Sequence, residues 1–215
     1  MNGASQPPGA ALLLAAGASR RFGGRPKALL PVAGEVALTR TARIAREEGF
    51  APVIAVVGRH AEEIERAVTG APNAPDQIVR HPRWPEGRTG SIQRGLSELP
   101  PDRTVLLWPV DAPLARRSTV RKLAERAGSD SLGLWFLPTF EGRGGHPVLW
   151  KAEVTSQVLR LRPDQPLRNL LPRLGAQVAR VAVDDAGVTA NLNTPEEYYA
   201  AVAAFERREL SWTER

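Results

Sequence analysis

Between Leu12 and Lys27 the chain reads LLLAAGASRRFGGRPK. An apolar run stops at Gly17, and the residues after it are small, flexible and cationic. Gly17, Gly23 and Gly24 let the backbone approach a ligand closely and present N–H donors to it. Arg20, Arg21, Arg25 and Lys27 place four cations in the same loop. These properties together describe a cradle for phosphate. The spacing fits neither common nucleotide fingerprint. GxGxxG is absent, and where GxxxxGK[ST] would require Ser or Thr after the lysine, Lys27 stands between Pro26 and Ala28. A glycine-rich surface loop with solvated arginines is the competing reading of the same residues.

Two further places carry oxygen ligands. Asp111 follows the apolar run Val105 to Trp108 almost directly. An Asp at the carboxyl end of a buried parallel strand lies in the crevice where open α/β sheets bind ligands. Mg²⁺ takes one or two carboxylates and completes its shell with substrate phosphates and water, so Asp111 suits it; an Asp opening the turn before Pro113 is the alternative. Asn191 and Asn193 precede the segment Thr194-Pro195-Glu196-Glu197. Alternation turns both to one side, and Asn193 can offer an amide oxygen to the same Mg²⁺, or both can be turn residues. Ser91, flanked by glycines in HPRWPEGRTGSIQRGL, opens a helix at a point able to bond a base edge, a ribose or an anion, and serves equally well as an ordinary cap. No Ser-His-Asp pattern is suggested, GxSxG is absent, and with no Cys there is no thiol nucleophile, disulfide or thiolate metal site.

The elements that must hold these groups follow from periodicity. Ala10 to Ala16, Pro52 to Val57 and Val105 to Trp108 are apolar runs without alternation, as in parallel strands covered on both faces. Helices are predicted over 36–48, closed by Gly49, over 60–68 with Ile64 and Val68 one turn apart, and from Ser118 as N-cap to Ala127, closed by Gly128. Strands alternating with helices make a parallel α/β sheet. Leu132 to Leu137 and Val148 to Trp150, separated by a Gly-rich turn, break that alternation and read as an antiparallel edge or flap. Short helices at 152–161 and 167–174, a strand at 178–183 and a turn at Asp184-Asp185 come next. The last helix opens with a capping box, Thr194 as N-cap, Pro195 at N1 and Glu197 at N3, and aligns Tyr198, Val202 and Phe205 on one stripe.

The 215 residues suit one domain with a large core. Residues 1–9 read as a disordered lead-in and 209–215 as a fraying tail, leaving 10–208 as the domain. No run approaches a membrane span, the N-terminus lacks the pattern of a signal peptide, and the expected location is cytoplasmic. The net charge of +6 is almost all Arg, the lysines being Lys27, Lys122 and Lys151 alone. The cations are scattered and aromatics make up 6% of the chain, so nucleic-acid binding is not expected.

Leu14-Ala15-Ala16-Gly17-Ala18-Ser19-Arg20-Arg21-Phe22-Gly23, followed by Pro26-Lys27, resembles the N-terminal signature of the nucleotidyltransferases, LAAG-x-[GS]-x-R-[MF]-G…PK. Within them the chain is similar to the molybdenum cofactor cytidylyltransferases and their guanylyltransferase relatives, and the likeness runs from residue 10 to about 205. The resemblance implies a three-layer α/β sandwich with a mostly parallel, Rossmann-like sheet of the nucleotide-diphospho-sugar transferase type and a small antiparallel extension. It implies that Leu14 to Ser19 wrap a nucleoside triphosphate whose phosphates meet Arg21 and Lys27, and that Asp111, in the family's Asp-x-Pro, binds Mg²⁺. Asn193 falls in the family's D/N-x-D/N-T-P-E-[DE] segment, where many cytidylyltransferases carry Asp. Gly90 and Ser91 fall in a segment that reads the base, although Arg88-Thr89 and Ile92 depart from the usual Gly-Met-Gly-Ser-Ser. The segment from Gly142 to Leu149 resembles a stretch that lines the acceptor side, where Arg143 and His146 would steer a phosphate dianion. Arg168 matches the arginine of a G-D-x-G-x-R segment whose glycines are missing here.

The implied activity is Mg²⁺-dependent transfer of CMP from CTP to the phosphate of molybdopterin, with release of pyrophosphate. Arg21, Lys27 and Asp111 would be its catalytic residues, and a molybdoenzyme of the xanthine dehydrogenase type would receive the product. Ala15-Ala16-Gly17 resembles the branches using CTP or UTP; the GTP-using branch more often reads Ala-Gly-Gly. GTP use or another phosphorylated acceptor are alternatives within the class, and a non-catalytic cofactor carrier is the alternative outside it.

Overall fold

The computed structural model describes residues 9–190 and 192–213, with side chains described as far as Arg207. In chain order the elements are β1 (Ala10–Ala15), β2 (Pro31–Val32), β3 (Glu35–Val36), α1 (Ala37–Glu47), β4 (Val53–Val57), α2 (Ala61–Val68), β5 (Gln77–Arg80), α3 (Arg88–Leu96), β6 (Val105–Pro109) and α4 (Arg117–Ser129). After them come β7 (Trp135–Phe140), β8 (Arg143–Gly144), β9 (Val148–Trp150), α5 (Ala152–Leu159), α6 (Leu171–Leu174), β10 (Val178–Ala182) and α7 (Pro195–Thr213). The main sheet runs β10-β7-β9-β6-β1-β4-β5, with β8 added to β7, while β2 and β3 form a separate hairpin. β1 pairs in parallel with both β4 and β6, and β4 with β5.

The apolar runs do what their lack of alternation implies. Along β1, Ala11, Leu13 and Ala15 face one core with α1, α2 and α4, while Ala10, Leu12 and Leu14 face the other with α3 and α5. All six are buried. This is the three-layer, mostly parallel sheet that the resemblance implied. α3 comes close to the sheet because Gly95 has no side chain; a Cβ there would stand 2.3 Å from Leu12 Cδ1 and 2.7 Å from Val56 Cγ2.

Several expectations need correction. β9 is antiparallel to both β6 and β7 and lies inside the sheet, not at its edge. The edges are β5 and β10, and β5, short and half-exposed, gave too weak a pattern to be read as a strand. The strand placed at 132–137 is shifted to 135–140, with Leu132 left in solvent. α4 opens one residue before Ser118 and runs past Gly128 to Ser129. The cap of α4 comes from a distant turn: the Asp185 carboxylate accepts from Arg116 N–H at 2.7 Å and from Thr119 Oγ1 at 2.6 Å. It also accepts from Gly187 N–H at 2.9 Å, closing the turn expected there. The capping box of α7 is as read: Thr194 Oγ1 accepts from Glu197 N–H at 3.2 Å, and the Glu197 carboxylate accepts from Thr194 N–H at 3.1 Å. Tyr198, Val202 and Phe205 are buried on one stripe against Phe22, Leu30, Val32 and Leu192.

At the start of the domain, Gly9 is buried; its carbonyl accepts from Ala51 N–H at 2.8 Å. The lead-in at 1–8 and Asn191 lie outside the described residues, as do 214–215 and the side chains of the expected tail. No described helix is long and apolar enough to cross a membrane.

Candidate active site

The site lies at the carboxyl ends of β1 and β6, where the sheet order reverses around β1. Open α/β sheets bind ligands at such switch points. A backbone bond from Val110 N–H to Leu14 carbonyl, 3.0 Å, ties the two strand ends together. The glycine-rich loop leaves β1 here. Ser19 takes up a left-handed backbone (φ 49°) and Gly23 and Gly24 continue in that region (φ 60° and 82°), which turns the loop back over the strand ends. Its return is fixed at both sides. Ser19 Oγ accepts from Lys27 N–H at 3.1 Å, and Phe22 is buried edge-on against Tyr198 of α7, ring centroids 6.2 Å apart. A Cβ at Gly17 would meet no atom within 4 Å; the space in front of it belongs to the cavity.

That cavity measures about 380 Å³. It is lined by Leu14, Ala15, Ala16, Gly17, Ser19, Arg20, Arg21, Lys27, Ser91, Asp111 and Asn193 among the residues singled out from sequence. Lys27 and Asp111, 84 positions apart in the chain, therefore face one space. Lys27 Nζ donates to Asn193 Oδ1 at 3.4 Å and lies 5.2 Å from the Phe22 ring centroid. Leu192 N–H donates to the Asp111 carbonyl at 2.8 Å, which seats Asn193 beside the strand end that carries Asp111. Burial holds the Lys27 ammonium below its usual range; Asp111 opposes this, and Arg88 and Arg21 add to it.

The carboxylate of Asp111 has two different oxygens. Oδ2 accepts from Arg88 at 3.3 Å. Oδ1 is buried with no hydrogen-bond partner among the described residues. An orphaned buried carboxylate oxygen is costly, and it is the donor atom a divalent cation needs. With one carboxylate and one amide the chain supplies few ligands, and no group of three or more His, Cys, Asp or Glu is placed to hold a metal ion among the described residues. Such a sparse site fits a cation that brings phosphates and water with it.

Not every sequence candidate reaches the cavity. Ala18 is turned aside, its carbonyl 3.2 Å from His60 Nε2. Gly90 lies under Pro163, donating its N–H to that carbonyl at 3.3 Å. Ser91 does line the cavity but is no cap: α3 begins three residues earlier, at Arg88, directly behind Gly87. A Cβ on Gly87 would stand 2.2 Å from the Pro163 carbonyl oxygen. Ser91 Oγ instead lies 3.1 Å from Nδ1 of the buried His81, whose imidazole pKa is lowered first by burial and then by Arg83. Arg143 on β8 and Arg168 on the 3-10 turn 167–170 are exposed and line no part of the cavity. His146 is not among the lining residues either; burial lowers its pKa, Asp111 opposes this and Arg88 adds to it.

Of the lining residues that escaped the sequence reading, two carry side chains that bear on chemistry. Trp84 sits on a 3-10 turn, with its indole over Gly58, where a Cβ would be 2.7 Å from Trp84 Cγ. An aromatic ring in a Pro- and Gly-broken loop was the available signal. Arg88 appeared only as a departure from a motif, and nothing in its spacing points to Asp111.

The sequence profile of the MobA-like NTP transferase domain matches residues 11–179. The structure is similar to that of Rv0371c from Mycobacterium tuberculosis H37Rv, at TM-score 0.75 and 24% identity, covering 90% of this chain and 96% of that one. It is also similar to a nucleotidyl transferase from Methanothermobacter thermautotroptrophicus, at TM-score 0.76 and 23% identity, over 93% and 98% of the two chains. Rv0371c has also been solved in complex with manganese, at TM-score 0.72 to this chain, 24% identity, and coverage of 90% and 97%. Among curated proteins, the bifunctional protein GlmU of Burkholderia mallei is 28% identical over 194 residues, 87% of this chain and 42% of that protein. GlmU of Paraburkholderia phytofirmans is 33% identical over 124 residues, 57% and 26% of the two. This chain thus spans about a quarter to two-fifths of the length of these curated relatives. The matched profile covers most of the chain and includes the loop, the strand ends and Asp111, and on that ground the chain belongs to the MobA-like NTP transferase domain family and is a nucleotidyltransferase.

Proposed function

We propose that residues 10–208 form a cytidylyltransferase that moves CMP from CTP to the phosphate of molybdopterin. The observation that carries this reading is the shared cavity of Lys27, Arg21, Asp111 and Asn193 beneath the glycine-rich loop. A nucleotidyl transfer needs no protein nucleophile. The acceptor phosphate oxygen bonds to the α-phosphorus of CTP, the bond from that phosphorus to the bridging oxygen breaks, and pyrophosphate leaves with the electron pair. The protein's task is to hold the partners in line and to meet developing charge.

Leu14 to Gly17 and Ser19 support the triphosphate from the end of β1, and Lys27 and Arg21 take up charge on the departing pyrophosphate. Asp111 and Asn193 would hold a divalent cation such as Mg²⁺, which would supply positive charge to offset that of the phosphates. Ser91 and Trp84 face the base side, where a hydroxyl can read an edge and an indole can cover a face. Arg143 and Arg168 serve the acceptor from outside the cavity and His146 from beside Asp111. A molybdoenzyme of the xanthine dehydrogenase type takes the product, and the chain acts in the cytoplasm. The identity of 28–33% to proteins named GlmU favours a second reading, the same transfer to a different phosphorylated acceptor.

Pyrophosphate release, assayed with each of the four NTPs, Mg²⁺ and either molybdopterin or a sugar phosphate, separates these. Release that requires CTP and molybdopterin supports the proposal. Release only with the sugar phosphate favours the second reading, and none with any pair points to a carrier. Lys27→Ala and Asp111→Ala should each lower turnover by roughly 10²–10³, as for the loss of one preorganised charge, with far-UV circular dichroism unchanged. Wild-type turnover in either variant removes its assigned role.

A further inference from the structure

Two buried polar atoms beside the triphosphate cavity have no partner among the described residues: Asp111 Oδ1 and His146 Nδ1. Buried polar groups are satisfied so regularly that each exception needs a cause. β9 lies antiparallel on β6 with Val148 opposite Leu107, so His146, two residues before Val148, sits at the end of β6 from which Asp111 follows; the two side chains interact electrostatically there. An unanswered carboxylate oxygen and an unanswered imidazole nitrogen at one strand end can both be answered by one cation. Arg88 does not fill that role, since it is engaged at the other oxygen, Oδ2, at 3.3 Å.

The backbone holds this arrangement from two sides. His146 N–H donates to the Val188 carbonyl at 2.8 Å, and Leu192 N–H to the Asp111 carbonyl at 2.8 Å. The 3-10 turn 186–189 is therefore pressed between the strap after β6 and the turn before β9. Glycine makes the fit possible: a Cβ on Gly145 would stand 2.1 Å from the Val188 carbonyl oxygen, and one on Gly187 2.3 Å from that of Leu114. The backbone position of His146 is thus built into the fold.

We propose that His146 Nδ1 is a protein ligand of the divalent cation held by Asp111 and Asn193. The site is then a mixed nitrogen–oxygen site that takes Mn²⁺ or another first-row transition ion in preference to Mg²⁺. The inference rests on the metal role proposed for Asp111 and adds a ligand to it. Imidazole raises affinity for borderline ions, whereas Mg²⁺ keeps to oxygen donors.

The test uses the full chain with Mn²⁺, alone and with inorganic triphosphate, a probe that contains no nitrogen. Pulsed electron paramagnetic resonance should show ¹⁴N coupling to the bound ion, lost in both His146→Ala and His146→Gln. In these variants Mn²⁺ affinity should fall by at least ~10-fold, the scale of disturbing a ligand shell, and the preference for Mn²⁺ over Mg²⁺ should shrink with it. Unchanged melting temperatures show that the variants fold. No ¹⁴N coupling in the wild type, with Mn²⁺ binding still abolished by Asp111→Asn, overturns the role of His146 and leaves the Asp111 site standing. Mn²⁺ binding that survives Asp111→Asn overturns the metal reading itself, and the ligand role of His146 falls with it.

Discussion

Replacing Arg88 by Gln tests how the site is kept before metal and nucleotide arrive. Arg88 is 62% exposed and Asp111 20% exposed, at an N–O separation of 3.3 Å. In bulk water that separation corresponds to about 1.3 kcal/mol of attraction, and pairs this exposed retain ~0.2–1 kcal/mol after side-chain entropy and screening. A divalent cation arriving at Asp111 meets a carboxylate already engaged by a positive charge and must overcome that engagement. Arg88→Gln should therefore tighten Mn²⁺ binding in the absence of nucleotide, by roughly 1.4- to 5-fold at 1.4 kcal/mol per factor of ten. The free-ion electron paramagnetic resonance signal during a Mn²⁺ titration measures it. The gain should shrink between roughly 10 mM and 500 mM salt as screening takes over. The same substitution should raise the pKa of Lys27, because Arg88 is one of the cations that hold it down. Equal or weaker Mn²⁺ binding in Arg88→Gln at low salt refutes the reasoning, since Asp111 would then gain nothing from losing its competitor.

Three other outcomes are expected from the packing. In Gly58→Ala the new Cβ would stand 2.5 Å from the Ala16 carbonyl oxygen and 2.7 Å from Trp84 Cγ; overpacking of about 1–3 kcal/mol should displace one of them and raise the KM for the triphosphate about fivefold or more, and an unchanged KM would separate Trp84 and Ala16 from substrate binding. Asp185→Ala removes a carboxylate that accepts at 2.6, 2.7 and 2.9 Å. Loss of a cap and burial of orphaned donors amount to ~2–4 kcal/mol, which for a chain of this size lowers the melting temperature by ~4–16 °C; calorimetry showing a drop under about 2 °C would contradict the capping role. Glu48 is disfavoured as a charge by burial, but hydrogen bonds from Arg121 and Arg117 prevail and hold its carboxyl below the ordinary 4.5. A lowered folded pKa contributes stability that is present above the unfolded value and lost as pH falls through the folded one. Glu48→Gln should thus melt earlier than wild type at about pH 7, with the gap closing below pH 4.5; a gap that persists at low pH would assign the difference to packing.

Local signals were sufficient for much of this protein. Ala10 to Ala15 had to be a strand covered on both faces because no residue in it tolerates water, and the box Thr194-Pro195-Glu197 starts a helix through bonds that span three residues. The glycine-rich loop was legible for the same reason: its small residues, cations and stopping strand are contiguous, and the phosphate chemistry they suit is a property of the segment. What sequence could not show were relations made by closure of the sheet. β9 lies inside it because β7 pairs on its far side, a choice settled by competition among strands and not by the run Val148–Trp150. The cap on α4 comes from Asp185, about seventy positions away, so Ser118 was the only local candidate and the wrong one. Arg88 and Trp84 reach the cavity through a turn whose place is set by contacts with Pro163 and Gly58. The pairing of Arg88 with Asp111, and the two unanswered atoms of Asp111 and His146, exist only once β6, α3 and the turn before β9 meet at one end of the sheet. Chemistry that needs one residue type in one stretch is written in the chain; chemistry that needs two charges at 3.3 Å from separate stretches is decided by packing.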